Sequence, residues 1–335
     1  MREALLYDRL DDQAVACRLC AHRCRIPEGG RGLCGVRENR SGTLQTLVYG
    51  KAIALNADPI EKKPLFHFLP GTRALSVATA GCNFTCRHCQ NADISQSPRE
   101  NGSIPGREIS PAELVRAARR EGCRTIAYTY TEPTIFFEYA LDTARRAAEE
   151  GIKNVFVTNG YMTGEALEMI APVLDAANVD LKSFRDEFYR EVCGARLQPV
   201  LETIGKMPEL GIWIEVTTLL IPGYNDSEKE LGEIAAFLAG IDPGIPWHVS
   251  GFYPTYRLAD APPTPASSLR KAREIGRDAG LSYVYTGNLP GDDGENTYCR
   301  RCGKKIVERT GYRLGAVNIR DGKCAYCSTP AAGVW

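Results

Sequence analysis

Short apolar, β-branched or aromatic runs recur along most of the chain: ALSVATA (74–80), TIAYTY (125–130), NVFVTN (154–159), ANVDLKS (177–183), WIEVTTLLI (213–221) and WHVSGFYP (247–254). Amphipathic stretches of helical period separate them, and this alternation predicts six β-α units on a parallel sheet. LSYVYTGN (281–288) predicts a final strand, and LQTLVYGKAIAL (44–55) one or two more ahead of the repeat. Helix starts are signalled by Ser110-Pro111 before AELVRAARR and by Asn225-Asp226-Ser227 before EKELGEIAAFLAG. Gly122, Gly151, Gly211 and Gly280 each stand just past a helical stretch, where a left-handed residue ends a helix.

The polar residues cluster where these strands end. The ends read Ala80-Gly81-Cys82, Tyr130-Thr131-Glu132-Pro133, Thr158-Asn159-Gly160, Asp180-Leu181-Lys182 and Leu220-Ile221-Pro222-Gly223. In a parallel barrel the C-terminal strand ends carry the chemistry. The pattern therefore predicts an α/β fold, a partial (β/α)6 TIM-type barrel over residues 74–290. A cysteine-rich metal-binding lobe (1–73) precedes it and a zinc-ribbon-like module (291–335) follows. A doubly wound sheet is the architectural alternative.

Charge and composition narrow the function classes. Forty-one basic residues balance forty-one acidic ones, so no whole-protein field advertises nucleic acid or an anionic membrane. No run approaches membrane-spanning length, and acidic residues in MREALLYDRLDD occupy the place of a signal peptide's apolar core. A cytoplasmic protein is expected. Of thirteen cysteines, eleven fall in three tight groups with ligand-like spacing, which favours metals over disulfides. Cys123 and Cys193 stand alone and read as buried small hydrophobes.

The central group, GCNFTCRHCQN, puts Cys82, Cys86 and Cys89 directly after a strand. Three thiolates suit three corners of a cubane cluster and leave its fourth iron open to a small molecule. Zinc is the competing reading, with His88 as a fourth ligand. Asp180 and Lys182, two apart on one strand, share a face and can both look into the barrel mouth, where they pair with each other or with a ligand. Glu132-Pro133 alone would signal a helix start, and Asn159-Gly160 or Pro222-Gly223 alone a turn; their positions at strand ends make them site candidates. His248, Tyr253 and Tyr256 are candidate substrate contacts, with core packing the stronger reading for His248.

The flanking groups carry four cysteines each. Cys299, Cys302, Cys324 and Cys327 form two Cys-x2-Cys knuckles, a zinc-ribbon pattern in a segment too short to fold without a metal. Cys17, Cys20, Cys24 and Cys34 suit zinc or an auxiliary iron-sulfur cluster, with a slight lean to zinc; four thiolates leave His22 no ligand role.

Together, CRLCAHRC, YGKAIALNADPIEKKPLFHFLPG, GCNFTCRHCQN, YTYTEPTIFFEYA, FVTNGY, VDLKSF and LLIPGYND resemble the AmmeMemoRadiSam-system radical S-adenosylmethionine (SAM) enzymes (AmrS) over nearly the whole chain. These are kin to pyruvate formate-lyase activating enzyme, which the barrel alone resembles. The resemblance implies a 4Fe-4S cluster on Cys82, Cys86 and Cys89, and reductive cleavage of SAM to methionine and a hydrogen-abstracting 5′-deoxyadenosyl radical. It assigns SAM binding to His88, Glu132, Thr158, Asn159, Asp180, Lys182, Pro222 and Gly223, with Glu132 receiving the methionine ammonium. It also implies an electron donor such as flavodoxin or ferredoxin, a macromolecular or bulky substrate, and Memo and AMMECR-type proteins as partners. One departure is Thr217-Thr218, where activases commonly carry an arginine, which speaks against glycyl-radical activation. A zinc-stapled scaffold or nucleic-acid-binding protein is the non-enzymatic alternative.

Overall fold

Eight strands form the main sheet, numbered here in chain order: β1 (Ala54–Pro59), β2 (Arg73–Ala78), β3 (Thr125–Tyr128), β4 (Lys153–Thr158), β5 (Ala176–Asp180), β6 (Trp213–Leu220), β7 (Trp247–Gly251) and β8 (Val284–Gly287). This computed structural model describes residues 2–289 and 291–335. Pro290, the expected last residue of the barrel, lies outside them. Neighbours in sequence are neighbours in the sheet, parallel from β2 to β8 and antiparallel between β1 and β2. Among the described residues β1 and β8 do not pair, so the sheet curls into a partial barrel. The six expected units and the final strand are the seven parallel strands. The edge strand β1 grows out of the segment assigned to the N-terminal lobe, so that lobe and barrel share a sheet.

Helices α1 (Pro111–Arg120), α2 (Phe137–Glu149), α3 (Gly164–Ile170), α4 (Gln198–Glu209), α5 (Glu228–Ile241) and α6 (Ala266–Asp278) follow successive strands from β2 onward. Their starts are chemically specified. Ser110 and Glu113 cap α1 reciprocally, and Ser227 accepts from the Glu230 amide at 3.3 Å to start α5. Each helix buries one stripe, in α5 the residues Leu231, Ile234, Ala235 and Leu238 at helical spacing. Gly122, Gly151, Gly211 and Gly280 all have positive φ, as the sequence suggested. Among the described residues no helix is long and apolar enough to cross a membrane.

The barrel interior is narrow-walled at its N-terminal end because Ala74, Ala127 and Ala176 project little into it. The space they leave is filled by Ile60, Leu65, Phe68 and Leu69, which plug that end. Burying a side chain of this size contributes about 1.5–3 kcal/mol. Glu215 of β6 anchors the plug, accepting from the amides of Phe66 (3.0 Å) and His67 (2.7 Å). The C-terminal module locks it from outside: Arg309 donates to the Phe66 carbonyl at 2.7 Å, and Val334 exchanges backbone bonds with His67 and Leu69.

The N-terminal lobe sits at the opposite end. Two three-stranded sheets build it, and its Cys20 forms an isolated bridge with Met162, just past β4. Arg37 and Glu138 make a buried ion pair between the lobe and α2. The two flanking cysteine groups therefore occupy opposite ends of the barrel, and the N-terminal group lies at the end where the chemistry was expected.

Candidate active site

The central cysteine loop begins where β2 leaves the sheet. Gly81 has φ +103°, and a side chain there would lie 2.7 Å from Val36 Cγ1 and 3.1 Å from the Cys34 carbonyl. Glycine is required by both conformation and space. Beyond it the loop is braced from two sides. Arg99 donates to the carbonyls of Cys82 and Phe84, and Gln96 donates to the latter at 3.2 Å. From below, the amides of Thr85 and Arg87 donate to Cys193 (2.8 Å) and Val192 (2.9 Å). Gln96 and Arg99 escaped the sequence reading because no spacing marks a residue that serves a loop through its backbone carbonyls. Cys193 is fully buried beneath the loop, and its neighbouring thiol holds the Cys86 pKa down.

Two of the three sulfurs have polar partners of their own. The Phe84 amide points at Cys82 Sγ (3.4 Å), Ser95 Oγ lies 3.2 Å from Cys89 Sγ, and Asn159 Nδ2 reaches Cys82 Sγ at 3.9 Å. Burial raises the Cys82 and Cys89 pKa values, and the thiolates of the group raise them further by mutual repulsion. Such a group calls for a cation at its centre.

Glu132, after β3, is a positioning residue in this geometry. It is 1% exposed and accepts four hydrogen bonds: from the Thr134 amide (3.0 Å) and hydroxyl (2.6 Å), the Thr158 hydroxyl (2.7 Å) and the Asn159 amide (2.8 Å). Burial raises its pKa, and these donors work against that rise. The carboxylate thereby ties the ends of β3 and β4 together and aims Asn159, whose Nδ2 also donates to Asn83 Oδ1 at 2.7 Å. Thr158 and Asn159 are thus brought to the cysteine loop.

Asp180 and Lys182 form the expected pair, Lys182 Nζ to Asp180 Oδ2 at 2.9 Å. Burial works to lower the Lys182 pKa, but Asp180 and the Cys86 thiolate prevail and hold it well above its ordinary value. The ammonium therefore stays charged beside the cysteines. His88 is buried, and desolvation and the Lys182 charge push its pKa down to about 3, so its ring is neutral. Pro222 and Gly223 turn the chain beside this pair. Asn225, which the sequence did not single out, fixes that turn: Oδ1 accepts from the Ile221 amide at 2.7 Å, and Nδ2 donates to Lys182 O at 2.6 Å.

Other candidates lie elsewhere. His248 packs against the plug, its Nε2 donating to the Glu215 carboxylate at 2.7 Å and its ring stacked on Tyr285, so the substrate-contact reading gives way to the packing one. Tyr256 lies on the rim, its hydroxyl 2.7 Å from Glu100, and Tyr253 is exposed. The neighbouring Arg257 amide does reach the cysteine loop, at Arg87 O (2.9 Å).

The residues present fit a cluster with an open coordination site. Two buried polar atoms of the cysteine loop, Asn83 Nδ2 and His88 Nδ1, have no partner among the described residues. Among the described residues, the three thiols do not draw within 4.8 Å of one another as the C-terminal four do. A cubane binds each thiolate at a different iron and so spreads its ligands more widely than one ion does. By contrast, Cys299 and Cys327 lie 3.6 Å apart and Cys302 and Cys324 3.8 Å. Tetrahedral thiolates around one ion at a 2.3 Å bond length are about 3.8 Å apart.

Residues 76–237 match the family model described as the radical SAM superfamily. An uncharacterized protein of Methanocaldococcus jannaschii, MJ0808, is 48% identical over 98% of this chain and 98% of its own length. Pyruvate formate-lyase 1-activating enzyme of Escherichia coli strain K12 is 21% identical over 64% of this chain and 93% of its own. The crystal structure of Streptococcus suis SuiB bound to S-adenosylmethionine superposes with a TM-score of 0.51 at 15% identity. The match covers 69% of this chain and 53%, about half, of SuiB, and supports the fold alone. The cysteine loop lies inside the matched segment, and the relatives include activating enzymes: the chain belongs to the radical SAM superfamily and is an enzyme related to the glycyl-radical-enzyme activases.

Proposed function

We propose that the protein cleaves SAM reductively at a 4Fe-4S cluster held by Cys82, Cys86 and Cys89, and uses the resulting radical on a bulky or macromolecular substrate. The observation that carries this reading is the incomplete thiol set facing the Asp180–Lys182 pair and Asn159. When bound, the cluster supplies one electron to the sulfonium, giving methionine and a 5′-deoxyadenosyl radical that takes a hydrogen atom from substrate. The chain's own residues bind and orient. Lys182 offers a fixed positive charge to a carboxylate, and Asp180 offers an acceptor to a ribose hydroxyl or an ammonium. Thr158 and Asn159, aimed by Glu132, bear on the nucleoside and methionine, while the backbone of Pro222 and Gly223, set by Asn225, approaches the adenine. His88 packs beside them as a neutral ring.

Within the superfamily the reading is an AmmeMemoRadiSam-type enzyme (AmrS), on the motif resemblance across the chain. Activation of a glycyl-radical enzyme is the second reading, favoured by the kinship with activating enzymes. Against it, Thr217 and Thr218 use their hydroxyls inside the barrel wall, on Asn178 Oδ1 and Leu181 O, and offer no cation to a peptide. The reading extends to a flavodoxin- or ferredoxin-type electron donor, to Memo and AMMECR-type partners, to zinc on Cys299, Cys302, Cys324 and Cys327, and to a cytoplasmic setting. None of the thirteen cysteines is in a disulfide, which leaves the three groups available as metal ligands.

The test is anaerobic reconstitution followed by dithionite and SAM. Cluster absorbance and 5′-deoxyadenosine are expected; absence of both from folded protein refutes the reading. A glycyl radical signal on an added partner would favour the activase reading instead.

A further inference from the structure

The N-terminal lobe holds Cys17, Cys20, Cys24 and Cys34 around one pocket whose remaining wall includes Leu19 and Ile26. Three of the four, Cys17, Cys20 and Cys34, are buried. Gly32 also lines this pocket, and a side chain there would lie 3.9 Å from both Cys24 Sγ and Cys34 Sγ, so these two sulfurs flank it. The four sulfurs do not converge on a point. Among the described residues, no three of them come within 4.8 Å of one another, whereas all four C-terminal sulfurs do.

One chain thus contains two thiol geometries. The C-terminal set has the spacing of four ligands on a single ion. The N-terminal set, like the catalytic triad, does not bring three sulfurs within 4.8 Å of one another, but it has four thiols instead of three beside the apolar Leu19 and Ile26. A polynuclear cluster matches that combination, because each thiolate binds a separate corner and the fourth closes the coordination.

The lobe also touches the catalytic loop directly. His22, between two of these cysteines in sequence, bonds through Nε2 to the carbonyl of Asn83 at 2.8 Å, and its ring packs on Tyr161 with centroids 4.8 Å apart. The Cys34 carbonyl and Val36 press on Gly81, the residue before Cys82.

We propose that Cys17, Cys20, Cys24 and Cys34 hold a fully thiolate-ligated iron-sulfur cluster rather than zinc, packed against the loop that carries the catalytic cysteines. The comparison with the catalytic triad rests on the function proposed above.

The experiment uses the full chain with Cys82→Ala, Cys86→Ala and Cys89→Ala combined, reconstituted anaerobically with ferrous iron and sulfide. About two to four irons per chain with matching sulfide are expected, with a paramagnetic signal after dithionite. About one zinc should remain at the C-terminal site. Adding Cys20→Ser to this variant should remove the iron while circular dichroism stays unchanged. An iron-free triple variant, or one carrying about two zinc ions, overturns the proposal. So does iron that survives Cys20→Ser. Wild-type protein assayed in parallel separates the two claims. SAM cleavage by wild type with zinc in the N-terminal lobe sinks only the lobe assignment, and iron in the triple variant without wild-type cleavage sinks only the proposed function.

Discussion

Glu132→Gln tests the link between packing and site geometry. The carboxylate takes three hydrogen bonds on Oε1, from Thr134 twice and Thr158, and one on Oε2 from the Asn159 amide. Glutamine has one accepting oxygen. Its best rotamer keeps the Oε1 set and turns an NH2 toward the Asn159 N–H, so a bond to a charged acceptor becomes a contact between donors. Losing the bond costs about 1.5–3 kcal/mol, and leaving the buried donor unpaired about 1–3 more. Removing a charge that burial already disfavours offsets part of this. A net loss of roughly 2–4 kcal/mol is expected in urea unfolding of the reconstituted protein. Because the Asn159 backbone is then no longer held, SAM cleavage should fall on the order of 100-fold. A variant within about 0.5 kcal/mol of wild type and with unchanged 5′-deoxyadenosine production would refute the anchoring role of Glu132.

Three further outcomes are expected. Cys86→Ala should abolish 5′-deoxyadenosine formation with the fold intact, whereas Cys302→Ala should chiefly lower thermal stability by breaking the four-thiol site; equal loss of cleavage with equal stability would contradict the division of roles. His67 is buried, with Nδ1 bonded to the Ala332 carbonyl and Nε2 to the Tyr285 hydroxyl, and desolvation pushes its pKa from 6.5 down to about 4. The unfolded chain therefore binds the extra proton between pH 6.5 and 4, and stability should fall by about 3 kcal/mol as pH drops through that window. His67→Gln should flatten this slope in pH-dependent unfolding, and an unchanged slope would show that His67 is not its source. Gly81→Ala should destabilise by about 1–3 kcal/mol through the Val36 contact, with further strain from the positive φ, and calorimetry showing a wild-type melting temperature would disprove the close docking of lobe and loop.

The sequence determined the parallel α/β unit, the incomplete central cysteine set and the strand ends that surround it. These are local signals: alternation of apolar runs with helical periods, serine caps, positive-φ glycines and fixed cysteine spacing all act within one element. Even the errors are informative. Six predicted strands ran past the observed ends at 78, 128, 158, 180, 220 and 251, because those residues leave the ladder to form the site, and the final one began three residues early, at 281 rather than Val284. Tyr130 has a left-handed φ of 63°, which apolar composition does not reveal.

Tertiary structure alone decided which partners these residues meet. Gln96, Arg99, Cys193 and Asn225 serve the site through backbone groups far away in sequence, so no motif marks them. Nor does spacing tell that the two flanking four-cysteine groups lie at opposite ends of the barrel, one sealing it with the plug around His67 and Glu215, the other pressed on Gly81. Four cysteines can bind one ion or a cluster with the same sequence spacing. What separates the cases is how far apart the folded backbone holds the sulfurs, a distance set by packing across the whole lobe.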